Sequence, residues 1–105
     1  MELKEIQKEQ EKFIKERDWD KNPASEVFIH LIEEISEIGK HILFKTGYKK
    51  TKIGSSDSRK NLKREFAHAF NLLLQLAIAF NIDLETAWKS EHELMKRRFS
   101  VNKCA

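Results

Sequence analysis

Cysteine, proline and glycine are scarce in this sequence, which has one cysteine, one proline and three glycines among 105 residues. The single cysteine, Cys104, cannot form an internal disulfide, so a disulfide-stapled fold is excluded and a reducing compartment is expected. So little proline and glycine also excludes collagen-like and low-complexity chains. The sequence contains no glycine-rich phosphate loop, no paired cysteine and histidine spacing for zinc, and no nucleophile elbow.

Long apolar runs and a strong excess of one charge are also missing. The longest apolar stretch, Phe66 to Phe80, is interrupted by His68, Asn71 and Gln75 and is not typical of a membrane span. The opening residues are charged rather than apolar, so we expect no signal peptide. A net charge of +3 is too small to indicate a nucleic-acid binder. We therefore expect a cytoplasmic protein that binds neither membranes nor nucleic acids.

Helical periodicity dominates what the sequence does contain. Hydrophobic residues make up 40% of the chain and charged residues 35%, which is typical of one globular domain, here residues 1–105. Asn22 before Pro23, and Asp83 before Leu84, are predicted to begin helices. No strand pattern is present, so the fold class is predicted to be all-α, a small bundle. The four predicted helices are Glu2 to about Trp19, Pro23 to about Thr46, Lys60 to Phe80, and Leu84 to about Phe99.

The longest predicted loop, residues 47–59, is basic and flexible, and residues 100–105 form a tail. The lysines of this loop include Lys49 and Lys50. One interpretation is a solvated connector, and another is a lid whose lysines contact phosphates. Nucleic-acid binding through the loop is a third interpretation, against which stands the absence of interleaved aromatic residues other than Tyr48.

Two pairs of ligand-capable residues have helical spacing: Glu34 with Glu37, and Glu65 with His68. Residues three apart project from one face of a helix. Two such helices packed antiparallel would bring all four side chains to one point. Because crowded carboxylates repel one another unless a cation lies between them, the pattern predicts a divalent metal site.

A helical wheel of the second helix places Glu34 and Glu37 at the edge of the apolar face and turns Glu33 toward solvent. Glu33 is the nearest spare carboxylate that could orient or deprotonate a water molecule. His30 and His41 share the face of Glu34 and are interpreted as surface histidines.

The third helix is apolar on nearly every side from Phe66 onward, which predicts burial all round. Three other short helices can hardly cover it, so we expect part of it to face a second subunit in a homodimer or homotetramer. Trp88 of the fourth helix is expected in the core. Trp19 is expected to pack over the junction of the first two helices or to stack on a nucleobase.

The order and spacing of these motifs resemble those of the MazG-like nucleoside triphosphate pyrophosphohydrolases, within the all-α NTP pyrophosphatase group. The likeness covers roughly Leu3 to Phe99. It is carried by Glu16-Arg17-Asp18-Trp19-Asp20, Leu31-Ile32-Glu33-Glu34-Ile35-Ser36-Glu37-Ile38, Glu65-Phe66-Ala67-His68, the apolar run that follows, and Asn81-Ile82-Asp83-Leu84-Glu85-Thr86-Ala87.

The resemblance implies a four-helix MazG-like bundle that cleaves an NTP between its α- and β-phosphates, giving a nucleoside monophosphate and pyrophosphate. It implies a divalent metal, usually Mg²⁺, held by Glu34, Glu37, Glu65 and the residue at position 68. Substrate contacts are then expected from Trp19, Lys49, Lys50 and Arg98, and a base role is expected for Glu33.

Two departures from the family pattern bear on this expectation. His68 stands where the family has aspartate, and an imidazole favours Mn²⁺ or a softer ion over Mg²⁺. The last helix has Glu91 and Met95 near the places of a family lysine and asparagine. Two functions therefore stay open: a working pyrophosphohydrolase, or a catalytically impaired relative that acts as a nucleotide-binding or regulatory interaction module.

Overall fold

A computed structural model describes residues 1–45 and 58–101, the side chains of residues 58–60 excepted. These residues form four α-helices and no strand, which confirms the all-α prediction. A short 3₁₀ turn, Trp19–Lys21, follows the first helix. The helices are α1 (Leu3–Glu16), α2 (Ala24–Lys45), α3 (Ser58–Ala79) and α4 (Leu84–Arg98).

The first helix ends earlier than predicted because Asp18 adopts a left-handed backbone conformation, with φ of 58°. Trp19 therefore lies in the 3₁₀ turn rather than at the end of α1. Helix α2 begins at Ala24, where the carbonyl oxygen of Pro23 accepts hydrogen bonds from the amides of Glu26 and Val27.

The start of α4 is confirmed at its N-cap. The carboxylate of Asp83 accepts hydrogen bonds from the backbone amides of Glu85 and Thr86, at 3.1 and 3.2 Å. The bond from the Thr86 amide is the main reason that the pKa of Asp83 lies below its usual range. Gln7 of α1 holds the same turn, because its amide donates to the Ile82 carbonyl and accepts from the Leu84 amide.

Helix α3 begins at Ser58, two residues before the predicted start. Most of the predicted loop, including Lys49 and Lys50, lies outside the described residues, as does most of the predicted tail.

Helices α2 and α3 form the main contact of the fold, and α1 packs on α3. Val27 and His30 share a cleft with Leu72 and Gln75, whereas Glu34, later in α2, meets His68, earlier in α3. The two helices are therefore antiparallel, as the predicted convergence of the two pairs requires. Among the described residues the buried apolar core is small and consists of Ile14, Val27, Leu31, Leu74 and Ala77.

The fold is open for its size. Its radius of gyration is 17.7 Å, whereas a compact domain of this length has about 13 Å. Helix α4 leaves the end of α3 at 96° and has no buried side chain, so the prediction of a core position for Trp88 is wrong. Trp88 is exposed and stacks on His92 with ring centroids 4.5 Å apart.

In the described part of the chain, no single helix is long and apolar enough to cross a membrane. Residues Asn61–Ala79 and Leu84–Arg98 pass that test only as a pair, by length and composition, and they are bent by 96°.

Candidate metal centre

The inner face of α2 carries Glu34 into the contact with α3. Leu31 and Val27, one and two turns earlier, are buried against α3. Glu34 continues this face by one more turn, and its side chain is only 17% exposed. A carboxylate is therefore held at a helix interface where apolar residues would normally lie.

Helix α3 supplies the other members of the cluster, Glu65 and His68. One ligand atom from each of Glu34, Glu65 and His68 lies within 4.8 Å of the others. Nδ1 of His68 is 3.8 Å from Oε2 of Glu34. That Oε2 atom is buried and accepts no hydrogen bond. A buried carboxylate oxygen without a partner is costly, and a cation between these ligand atoms would satisfy it.

Electrostatics within the cluster raise the pKa of Glu65 to about 7. The largest cause is a hydrogen bond with the carboxyl group of Glu34, followed by burial and by repulsion from Glu34 and Glu37; Arg64 partly offsets these effects. Two carboxyl groups can share a hydrogen bond only when one holds a proton. A proton on Glu65 therefore holds the two carboxyl groups together, and once it leaves, two ionised carboxylates face each other.

Glu37 is not a member of this three-residue cluster. Its Oε1 is 3.0 Å from Nζ of Lys40, in an ion pair whose side chains are about half exposed. Its charge still raises the pKa of Glu65, so it lies near enough to act on the cluster. Because exposed ion pairs are weak, this pair is a small barrier to Glu37 turning toward an ion.

His30 is exposed, as the sequence interpretation expected, and lies beside the three-residue cluster. Its Nε2 is 3.5 Å from Oε1 of Glu34, so each oxygen of this carboxylate faces one imidazole. The spacing of His30 and Glu34, four residues apart on one helix, indicates from the sequence that their side chains are neighbours. Glu33 is exposed, as the helical wheel predicted.

A cleft of about 440 Å³ opens beside the cluster. Glu34 and His68 line one end of it, and Trp19, Leu72 and Gln75 line the other. Trp19 is 45% exposed and packs edge-on against Phe13, with centroids 5.6 Å apart. Trp19 therefore packs against α1 at the junction of the first two helices, and part of its ring remains exposed in the cleft.

Arg98 lies far from the cluster of its own chain. It ends α4, about 20 Å along an axis perpendicular to α3, while His68 lies about 16 Å back along α3. Its guanidinium group lies 5.7 Å from the ring centroid of Phe99. The structure therefore does not bring Arg98 together with the cluster of its own chain.

Comparisons with known proteins identify no family for this chain. No protein-family model matches the chain, and no curated protein matches it. The ligand atoms, the cleft and the apolar surface of the described residues therefore carry the functional argument.

Proposed function

We propose that the protein is a metal-dependent hydrolase that cleaves a nucleoside triphosphate between its α- and β-phosphates, releasing pyrophosphate. The observation that carries the proposal is the buried, unpartnered Oε2 of Glu34, with Glu65 and His68 within ligand distance. The MazG-like order of motifs supplies the reaction. The neighbouring cleft supplies a place for the nucleoside.

In this proposal Glu34, Glu65 and His68 hold the ion, and Glu37 joins them when it leaves Lys40. A bound divalent ion neutralises phosphate charge and makes a water molecule nucleophilic near neutral pH. Glu65 must release its proton before it can act as a ligand. Glu33 is proposed to accept a proton from the attacking water, and its exposed position on α2 would require the substrate to approach from the solvent side.

The donor set favours Mn²⁺ over Mg²⁺. The cluster offers two carboxylates and one imidazole, and imidazole suits Mn²⁺ and softer ions better than it suits Mg²⁺. Mg²⁺ binding would depend more heavily on recruiting Glu37 as a third carboxylate.

A second candidate is a nucleotide-binding or regulatory module with impaired catalysis. It is favoured by the shortage of cations for a polyphosphate. Among the described residues, no lysine or arginine lines the cleft between the cluster and Trp19, and Arg98 is remote. The replacement of the family aspartate by His68, which removes one negative charge from the site, also favours this second candidate.

We further propose that the protein works as a homodimer whose subunits meet through α2 and α3. Each helix carries exposed apolar residues at alternating spacings of four and three, which is the pattern of a coiled-coil seam. Gly39 occupies the remaining position of the α2 seam, and Ala77, which is itself buried, occupies that of the α3 seam. The eight residues of this outer face are Phe28, Ile32, Ile35, Ile42, Phe66, Phe70, Leu73 and Phe80, and each is 39–64% exposed.

The two seams lie on the same side of the α2–α3 hairpin. Each seam is one residue step, or ~100°, around from the face that its helix turns to the other. Because the helices are antiparallel, the same rotation brings both seams to one side. The exposed parts of the eight side chains amount to roughly 700 Å² per subunit at roughly 180 Å² per large side chain, close to the roughly 800 Å² of a standard interface. Two such faces together form a four-helix bundle.

A pyrophosphate-release assay tests the proposed reaction. The wild type would be tested with the eight common NTPs and dNTPs, each with Mg²⁺, Mn²⁺ and Zn²⁺. We expect release with at least one nucleotide, strongest with Mn²⁺, and loss of about a hundredfold or more in Glu34→Gln because a ligand is removed.

Lys63→Gln, an exposed change on α3 two residues before Glu65, is a control that should keep the activity. Absence of pyrophosphate release from the wild type, combined with saturable nucleotide binding, would replace the first candidate with the second.

A further inference from the structure

His30 places a second imidazole beside the carboxylate at the centre of the cluster. Its Nε2 is 3.5 Å from Oε1 of Glu34, whereas Nδ1 of His68 is 3.8 Å from Oε2. Two ligand atoms that each bind one ion at about 2.1 Å can be at most about 4.2 Å apart. Both distances are below this limit, so either imidazole can share an ion with the carboxylate that lies between them.

The two imidazoles lie on the same side of the cluster, although they belong to different helices. His30 precedes Glu34 by about one turn of α2, and His68 follows Glu65 by about one turn of α3, a displacement of roughly 5–6 Å in each case. Because α2 and α3 are antiparallel, both displacements have the same direction. His30 and His68 accordingly line the same cleft, together with Glu34. An ion bound at this end of the cleft would therefore meet an imidazole from each helix.

A turn of its side chain is enough to bring His30 to the other ligands. The ligand atoms that lie within 4.8 Å of one another come from Glu34, Glu65 and His68, and His30 is outside this set. Its side chain is 59% exposed, and its ion pair is with Glu34, itself a member of the cluster. Because an exposed side chain changes rotamer readily, a bound ion can draw the His30 imidazole inward without moving α2.

A second imidazole changes which ions the site prefers. With His30 the donor set becomes two carboxylates and two imidazoles, and four donors of these types are what Zn²⁺ binds. Mg²⁺ takes oxygen ligands and keeps several water molecules, so it gains little from a nitrogen donor. Affinity at nitrogen and oxygen sites also rises from Mn²⁺ through Co²⁺ along the first transition row. The four residues therefore suit a borderline transition-metal ion better than a hard one.

We propose that His30 is a fourth ligand of the metal centre, and that the paired imidazoles of His30 and His68 make this centre selective for Zn²⁺ over Mg²⁺. The inference rests on the ion site of the proposed function and not on the pyrophosphate-releasing reaction. The role assigned to His30 is direct binding of the ion, as distinct from orienting the Glu34 carboxylate through a hydrogen bond.

Calorimetry of Zn²⁺ and Mg²⁺ binding at one pH tests the proposal in the wild type, His30→Gln and His92→Gln. Glutamine keeps a side-chain donor for Glu34 but lacks the imidazole. Even the loss of a group that only supports a ligand costs about 10–100-fold in metal affinity, so we expect Zn²⁺ affinity to fall at least about tenfold in His30→Gln. Mg²⁺ affinity should stay within about twofold, because Mg²⁺ gains little from a nitrogen ligand.

His92→Gln is the matched control for zinc that binds adventitiously to exposed histidines. His92 is exposed on α4, where it stacks on Trp88, and its removal should leave both affinities unchanged. Co²⁺ replaces Zn²⁺ in a second measurement, because its visible absorption changes with its ligands; His30→Gln should alter this spectrum, whereas His92→Gln should not. Circular dichroism in EDTA verifies the folding of each variant, and His30→Ala replaces His30→Gln if that variant does not fold.

The outcomes separate a ligand from a positioning residue, and the metal centre from the proposed reaction. Equal losses of Zn²⁺ and Mg²⁺ affinity in His30→Gln would show that His30 only orients Glu34, and unchanged Zn²⁺ affinity would exclude His30 from the centre; either result overturns the proposal. If Glu34→Gln binds Zn²⁺ as tightly as the wild type does, the ion site itself is wrong and the proposal fails with it. A selective loss of Zn²⁺ affinity in His30→Gln supports the proposal even if the wild type releases no pyrophosphate.

Discussion

Replacing Glu34 with glutamine is expected to stabilise the metal-free protein above neutral pH. In the wild type, a hydrogen bond with Glu34, burial and repulsion from Glu34 raise the pKa of Glu65 to about 7. The amide of glutamine removes this charge and can donate a hydrogen bond to the ionised Glu65. The pKa of Glu65 should then fall toward its ordinary value, and the crowding that opposes folding at high pH should be relieved.

The linkage between protonation and folding gives the direction and the size of the change in stability with pH. Between pH 4.5 and about 7 the folded protein holds the Glu65 proton and the unfolded chain releases it. Stability therefore falls as pH rises through this interval. The full shift corresponds to about 3 kcal/mol, but solvent on the open side of the cluster screens the charges, so we expect about 1–2 kcal/mol. For a domain of this size that is roughly 4–12 °C in melting temperature.

The assay is urea unfolding in EDTA at pH 5 and pH 8, at fixed protein concentration, for the wild type, Glu34→Gln and Glu33→Gln. Glu33→Gln removes the same charge from an exposed position on the same helix and is the matched control. The wild type should lose stability between pH 5 and pH 8, and Glu34→Gln should remove most of that loss, whereas Glu33→Gln should not. Mn²⁺ should restore the wild type at pH 8 and leave Glu34→Gln unchanged. A wild type equally stable at both pH values, or a Glu34→Gln variant less stable at pH 8, would refute this account of the cluster.

Three further predictions concern the metal and the outer face. His68→Asp should raise Mg²⁺ affinity about tenfold in calorimetry, because it adds a hard anionic ligand; unchanged affinity would remove position 68 from the site. Lys40→Ala should raise Mn²⁺ affinity a few-fold if Glu37 becomes a ligand when freed, and no change would limit the site to Glu34, Glu65 and His68. Light scattering at micromolar concentration should give a dimer mass that Leu73→Asp reduces to the monomer, because a charge in an apolar seam opposes association; a monomeric wild type would contradict the proposed interface.

The helices and the cluster could be predicted from local rules, because each depends on residues close together in sequence. The Asp83 cap follows from one side chain and the two amides after it. The convergence of Glu34 with Glu65 and His68 follows from helical spacing and antiparallel packing. The early end of α1 could not be predicted, because nothing in the local pattern requires Asp18 to adopt a left-handed conformation. The pairing of Glu37 with Lys40 was missed because both a ligand role and a surface ion pair satisfy the same spacing.

The error at Trp88 has a different origin. Periodicity shows which residues of a helix share a face, but it does not show whether that face contacts another helix or solvent. Trp88 lies on an apolar face of α4, and α4 turns away from α3 by 96° and contacts α1 instead. The same limitation applies to α3, whose all-round apolar character predicted burial on every side. In one chain, Phe66 and Phe80 stay more than half exposed.

The position of Glu34 affects both the stability of the fold and the chemistry of the candidate site. An apolar residue at this point of α2 would extend the small core formed with Val27 and Leu31, and it would avoid both the unpartnered oxygen and the raised pKa of Glu65. The chain instead holds a carboxylate there and surrounds it with two imidazoles and a second carboxylate. Such an arrangement disfavours the metal-free fold once both carboxylates are ionised, and a bound cation would stabilise it. If the cluster binds a cation and the outer faces pair as proposed, the stability of this small open fold should depend on the concentrations of metal and of the protein itself.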